Sequence, residues 1–413
     1  MKVLLAHPGA GPFVAQTVLG LEAAGLLERF LTALVLSDRA WSTRWLKRLP
    51  FGVGRALSRR VLNDLPSERL RLRPLGEVKR ALAHRLDSSG LWADRLWDRN
   101  LRDFSAWAGR QISPNTRLVY GYDYGALELF EAAAKRGLER VLEQPAAAHE
   151  FNEALLTREA AAFAPLRTPH RRNAQQQRAV RSLRRDQELA LATRVICNSH
   201  FTRNSFAALG VDVSRFHVVP LAAPPIAEEL VALERRRDSP LRVLYAGNFS
   251  ALKGAHYLIA ALRQLQRTNA LEVHCYGAIQ LPASMLTDLP SSLVFKGAVS
   301  HAALSLAMHD ADVLLTPSLS DGFGMVVTEA LAAALPVIVT RHVGAADLIG
   351  EGQQGYLIEP GSARAIKDAL IRCLDQRDAL IEMRAHALGK ARSWQWSDYR
   401  RAHAELIGRF LTP

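Results

Sequence analysis

"PSLSDGFGMVVTEALAAALPVIVT", residues 317–340, decides how the chain is read. Pro317 closes an apolar strand, DVLLTP. Gly322 and Gly324 make a turn, an alanine-rich helix starts near Phe323 or Gly324, and a second strand runs from Pro336. The first amides of such a helix have no intrahelical acceptor and form an anion site suited to a diphosphate. Glycines in the turn let a ligand approach the backbone. Two acids, Asp321 and Glu329, have seven residues between them. Asp321, in the turn, is placed to accept from sugar hydroxyls. Glu329, more than a turn inside the helix, is placed to accept two hydrogen bonds from a ribose diol. An ordinary strand–turn–helix with two solvated acids has the same outline.

Outward from this stretch, strands and helices alternate. LRVLYAG (from Leu241), LEVHCYG (from Leu271), SLVFKGAV (from Ser292) and GYLIEP (from Gly355) read as strands. AHYLIAALRQLQ, HAALSLAMHD and SARAIKDALIRCLDQ, the last capped by Ser362, read as helices. The strands are apolar on both faces, which predicts a parallel sheet covered by helices on both sides. The first half repeats the pattern. KVLLAHPGAG leads into the helix PFVAQTVLGLEAAG, then come the strands RFLTALVL, TRLVYGYD, RVLEQP, TRVICNS and FHVVP. The expected fold is α/β: two doubly wound, Rossmann-like domains, 1–220 and 225–390, facing across a cleft with the strand C-terminal ends toward it. LAAPPIAEEL, with Pro224 and Pro225, is the expected linker. A final helix in 391–413 is expected to pack back on the first domain.

The chain has 413 residues and a net charge of +13. Residues 1–200 hold 32 Lys and Arg against 20 Asp and Glu; residues 201–413 hold 21 against 20. A basic first half implies an anionic partner: nucleic acid, a phosphorylated substrate or an anionic membrane surface. Cys197, Cys275 and Cys373 are far apart in apolar contexts and read as buried thiols of a reducing cytoplasm. The longest apolar runs are too short to span a bilayer.

Residues 317–340 resemble the donor-site signature of retaining glycosyltransferases of the two-domain GT-B class, family 4-like (glycosyl transferases group 1). That signature has two acids seven residues apart around GFG, then EA, small residues and PV. The family's first acid is usually Glu; Asp321 reaches about 1.5 Å less, one C–C bond. YAGNFSALKGAHYLIAAL resembles the family's glycine-rich strand–loop–helix, although Asn248 stands where an Arg often follows the first glycine. Likeness is good over about 195–390, weak over 1–30 and 118–150, and slight over 38–112.

The resemblance implies a nucleotide diphosphate sugar as donor, a saccharide or lipid-linked acceptor, no cofactor and no metal. It implies catalytic roles for Asp321, Lys253 and His149, Lys253 neutralising the diphosphate. The implied donor-binding residues are Glu329, Gly322, Phe323, Gly324, Met325, Val326, Gly247, Asn248, Gly9 and Gly11, with Lys296 and Val299 bordering the base. Basic candidates to replace the missing Arg include Arg203. His149 reads equally as a surface helix histidine, and Glu150 is a weak candidate base. The alternatives are an inactive sugar-nucleotide-binding partner and a GT-B nucleotide-sugar epimerase.

Residues 39–63, within a basic insertion at 38–112, hold seven Lys and Arg and no acid, interleaved with Trp41, Trp45 and Phe51. They read as a docking surface for an anionic membrane, as local packing or, less well, as a nucleic-acid patch. Docking at the inner face of the cytoplasmic membrane predicts vesicle binding that high salt releases.

Overall fold

The computed structural model describes residues 2–35, 62, 64–74, 76, 91–226, 239–265 and 270–412. Most of the basic tryptophan segment 39–63 lies outside the described residues. So do residues 227–238, which include the end of the expected linker at 221–230.

The first sheet has seven strands: β1 (Lys2–Ala6), β2 (Leu27–Thr32), β3 (Leu70–Leu72), β4 (Thr116–Tyr122), β5 (Glu139–Gln144), β6 (Arg194–Cys197) and β7 (Phe216–Val218). Their order is β3-β2-β1-β4-β5-β6-β7, every pairing is parallel, and the central strands are buried runs of Val, Leu and Ile. Around it lie α1 (Pro12–Ala23), α2 (Leu91–Arg110), α3 (Leu127–Ala134), α4 (His149–Ala162), α5 (Pro169–Leu191) and α6 (His200–Ala207).

The second sheet has β8 (Leu241–Ala246), β9 (Leu271–Tyr276), β10 (Leu293–Gly297), β11 (Val313–Thr316), β12 (Val337–Thr340) and β13 (Gly355–Ile358), in the order β10-β9-β8-β11-β12-β13. Its pairings are parallel too. Its helices are α7 (Ala255–Arg263), α8 (His301–His309), α9 (Met325–Ala332), α10 (Ala363–Asp375) and α11 (Arg377–Ser393). The last helix, α12 (Trp396–Leu411), starts with a capping box of Gln395 and Asp398 and packs along α1 of the first domain.

Two expectations are corrected. The strand read at Arg29–Leu36 begins earlier, at Leu27, and ends at Thr32. Leu27 sits opposite Val3, and past Thr32 the amide of Ala33 turns to the carbonyl of Pro8. The stretch 38–112 is also more than an insertion, because it supplies β3, which extends the sheet beside β2, and α2, which packs on α3.

The chain crosses between the domains twice, side by side. Ala223 donates its amide to the Trp394 carbonyl at 3.3 Å, and the Trp394 indole donates to the Pro220 carbonyl at 3.1 Å. Beyond the second crossing, α12 completes the first domain's core. Thr17 Oγ1 meets the Tyr399 hydroxyl at 2.8 Å, and the Tyr120 hydroxyl meets His403 Nε2 at 2.9 Å and also bonds Glu143. All are buried.

Burial pushes Glu143 up to about 7 and holds His403 down to about 3. A carboxyl raised from 4.5 to about 7 favours the folded state at low pH, and that contribution is lost as pH rises through this window. Glu143→Gln keeps an acceptor for Tyr120 and removes the ionisation. Relative to the parent, the variant is expected to gain up to about 3 kcal/mol between pH 4.5 and 7, at about 1.4 kcal/mol per pKa unit. Urea unfolding at pH 5 and pH 8 checks this; a difference independent of pH contradicts it.

Candidate active site

In a doubly wound sheet, ligands bind beyond the strand C-termini where the strand order reverses. In the second sheet that point lies between β8 and β11, the only neighbours from which the order runs outward both ways. The loops leaving these two strands bring Lys253 and Asp321 together in an ion pair. Both are partly exposed at the cleft, with 32% and 19% of their side chains accessible. A glycine locks the pairing. Gly254 has φ 72°, and a Cβ there would lie 1.9 Å from the Pro317 carbonyl oxygen. The turn that carries Lys253 therefore sits flush against the end of β11.

Gly324 caps α9 in the left-handed region, at φ 78°. The first-turn amides, those of Met325 and Val326, have no acceptor within the helix, and both residues are half-buried. Phe323 is buried and its carbonyl accepts from Ala345 at 2.7 Å, which fixes the turn from behind. On the next turn, Glu329 Oε1 lies 3.3 Å from His301 Nε2 of α8. The two residues line a small cavity of about 80 Å³ with Pro224 and Pro225 of the linker. Gly247 and Asn248 are exposed in the loop after β8, and Lys296 and Val299 are exposed at the end of β10 and just beyond it.

The first domain closes on this edge. A Cβ on Gly322 would lie 2.1 Å from the Pro145 carbonyl oxygen and 2.6 Å from Ala146 Cα. The Gly322 carbonyl accepts from Ser199 at 2.7 Å and Thr202 at 3.2 Å, both at the start of α6. Asp347 accepts from the His200 amide at 3.0 Å. On the far side, buried Glu159 of α4 meets His256 and Tyr257 of α7, each at 2.9 Å. None of these interdomain partners carries a sequence signal, because each pair is about a hundred residues or more apart.

His149 is the first residue of α4, three positions after Ala146. Its buried Nε2 has no hydrogen-bond partner, and it faces a cavity of about 180 Å³ with Asp123, Gln144 and Arg185. Burial, then the positive charge of Arg185, holds its pKa below the ordinary value, so the ring is neutral. Glu150 is bound by Arg178 and Ser182, and Asp123 pairs with Arg185 at 3.1 Å. Gly9 and Gly11 follow β1 on the same edge. The Gly9 amide donates to His7 Nδ1 at 3.0 Å, and Gly11 caps α1. Arg203 lines a groove beside β7 and α12. Among the described residues, no three His, Cys, Asp or Glu side chains are grouped to hold a metal. Nor is any helix long and apolar enough to cross a membrane.

Residues 228–394 match the model of the family described as glycosyl transferases group 1. The match falls on the second domain.

The group 1 match covers Lys253, Asp321 and Glu329 together. Among curated relatives, glycogen synthase of Mycobacterium tuberculosis is 30% identical over 38% of this chain and 39% of its own length. D-inositol 3-phosphate glycosyltransferase of Corynebacterium urealyticum is 27% identical over 51% and 52%. The chain thus spans about half, or less, of the relatives it matches. Two solved structures align along almost the whole chain. Anabaena HepE, solved with UDP and glucose, has a TM-score of 0.61 at 16% identity over 99% of this chain and 100% of its own. Sucrose-phosphate synthase of Thermosynechococcus elongatus has 0.63 at 15% identity over 99% of each. At such identities the likeness shows the fold, and the fold is GT-B.

Proposed function

We propose that the chain is a glycosyltransferase that moves a sugar from a nucleotide diphosphate donor to an acceptor hydroxyl with retention of configuration. The observation that carries this reading is the meeting of Lys253, Asp321 and the Gly322–Gly324 helix start at the switch point of the group 1 domain. HepE, which shares the fold, binds UDP and glucose, and the relatives include the amylovoran biosynthesis glycosyltransferase AmsK of Erwinia amylovora. We place the acceptor in the same chemistry, a saccharide or a lipid-linked sugar. The basic segment 39–63 supports a position at an anionic membrane face.

In this reading the donor diphosphate takes Lys253 from Asp321 and lies against the first amides of α9. Asp321 then accepts from the sugar hydroxyls. Glu329 accepts from the ribose, and Lys296 and Val299 border the base. Gly247, Asn248, Gly9 and Gly11 let the two loops close on the phosphates. The neutral imidazole of His149 faces the sugar. No metal is required, because the lysine and the helix amides meet the charge that develops on the leaving diphosphate.

Retention is supported by the first domain's edge. An inverting transfer needs a base opposite the leaving group, and two of the three acids that line the His149 cavity, Glu150 and Asp123, are held by arginines, the third being Asp186. In a retaining transfer the departing phosphate takes the acceptor proton on the same face. An α-linked product from an α-linked donor is the expected result, read from the anomeric coupling in proton NMR. A β-linked product formed directly would overturn retention.

Glu329→Gln should weaken nucleotide diphosphate binding by roughly 1.5–3 kcal/mol, the scale of a hydrogen bond to a charged group. Calorimetry on the folded variant checks it, and unchanged affinity removes Glu329 from the site.

A further inference from the structure

A second charged concavity lies away from the cleft, where both interdomain crossings meet α12. It is an open groove of about 490 Å³. Arg203 enters it from α6, His217 from the edge strand β7, Trp394 from the return crossing and Arg409 from α12. Among the described residues, no carboxylate lines it. The nearby acid Asp347 is already taken by His200, whose ring nitrogen lies 3.1 Å away. Among the described residues, neither the Arg203 nor the Arg409 guanidinium has an acid partner.

His217, in the same lining, has a buried Nε2 with no hydrogen-bond partner. Arg194 and Arg409 act on this ring with their positive charge. Such a groove carries uncompensated positive charge, which an anion would relieve. Guanidinium forks fit the oxygens of a phosphate in pairs. Apart from His200, the rest of the wall is apolar: Phe216 and Leu406 are buried, and the Trp394 ring is fixed by its bond to Pro220. A bare inorganic ion has no use for that wall; an organic ester does.

We infer that this groove binds a phosphate ester, with Arg203 and Arg409 on the phosphate oxygens and Trp394 against the organic part. The site is separate from the donor cleft. It is nevertheless joined to it through α6, whose first turn holds the Gly322 carbonyl while its next residue, Arg203, turns into the groove.

The test is thermal unfolding of the full chain with glucose 6-phosphate against glucose, and inorganic phosphate against chloride at equal ionic strength. A parallel arm uses phosphatidylcholine vesicles with and without phosphatidic acid. A saturable rise in Tm with glucose 6-phosphate is expected. Its apparent affinity should fall at least about tenfold in the R203Q/R409Q double variant and persist in K253A, which disables the cleft. R409Q alone, at an exposed position, covers the case in which the double variant does not fold. Vesicle binding that needs phosphatidic acid and both arginines, with no soluble response, assigns the phosphate to a lipid headgroup. A response lost in K253A and kept in R203Q/R409Q belongs to the cleft and overturns the site. So does the absence of any response beyond chloride and of any vesicle binding.

Discussion

Lys253→Ala is expected to lower kcat/KM for sugar transfer by roughly 10²–10³-fold, the usual loss when one electrostatic contact to a developing oxyanion is removed. Lys253 is paired with Asp321 and stands at the mouth of the site. Without it, an arriving diphosphate meets an unneutralised carboxylate as well as losing a cation. No second cation stands in the loop after β8, where Asn248 occupies the place next to Gly247. Diphosphate affinity should therefore fall much more than nucleoside affinity. Calorimetric titration with a nucleoside and its diphosphate checks this, and equal losses would show that Lys253 serves packing.

Gly322→Ala should cost about a hundredfold in kcat/KM while each domain stays folded. The added methyl has no room, since the Pro145 carbonyl oxygen lies 2.1 Å from its position and both obstacles are backbone. The loop must retreat from the first domain, and its carbonyl leaves Ser199 and Thr202. A displacement of about 1 Å is enough for such a loss when two substrates must be held in register. Circular dichroism should be unchanged and the radius of gyration in solution scattering should rise. Full activity with an unchanged radius would show that the contact between Gly322 and the Pro145–Ala146 loop is dispensable.

Apart from β3, whose residues are largely exposed, the two sheets were legible in the sequence because their strands are buried and read as apolar runs. The helix α5 was not. Its inner face is ionic where an apolar stripe was to be expected. Arg184 is buried against Glu128, and the Glu188 carboxylate accepts from the amides of Tyr124, Ala126 and Leu127 at 2.6, 3.0 and 3.1 Å. No hydrophobic period marks such a helix. β2 was misplaced because apolar residues continue past its last ladder partner.

At the site, the elements local in sequence were readable: the glycine turn, the two acids and the lysine. The contacts that close the domains were not. Ser199 and Thr202 look like ordinary residues of a capped helix until folding brings Gly322 beneath them. His301 carries no sign of Glu329 until α8 and α9 lie side by side. Arg203 was one of several basic candidates to replace the missing arginine, and it lines the groove beside β7 and α12.

The most direct measurement is calorimetric titration of the full chain with UDP, GDP and ADP beside uridine, guanosine and adenosine. The geometry at Lys253, Asp321 and the start of α9 predicts that one diphosphate binds saturably, at least about tenfold more tightly than its nucleoside, as one charge-assisted contact to phosphate implies. Binding of no diphosphate, or equal binding of a diphosphate and its nucleoside, would contradict a nucleotide-sugar site in this cleft.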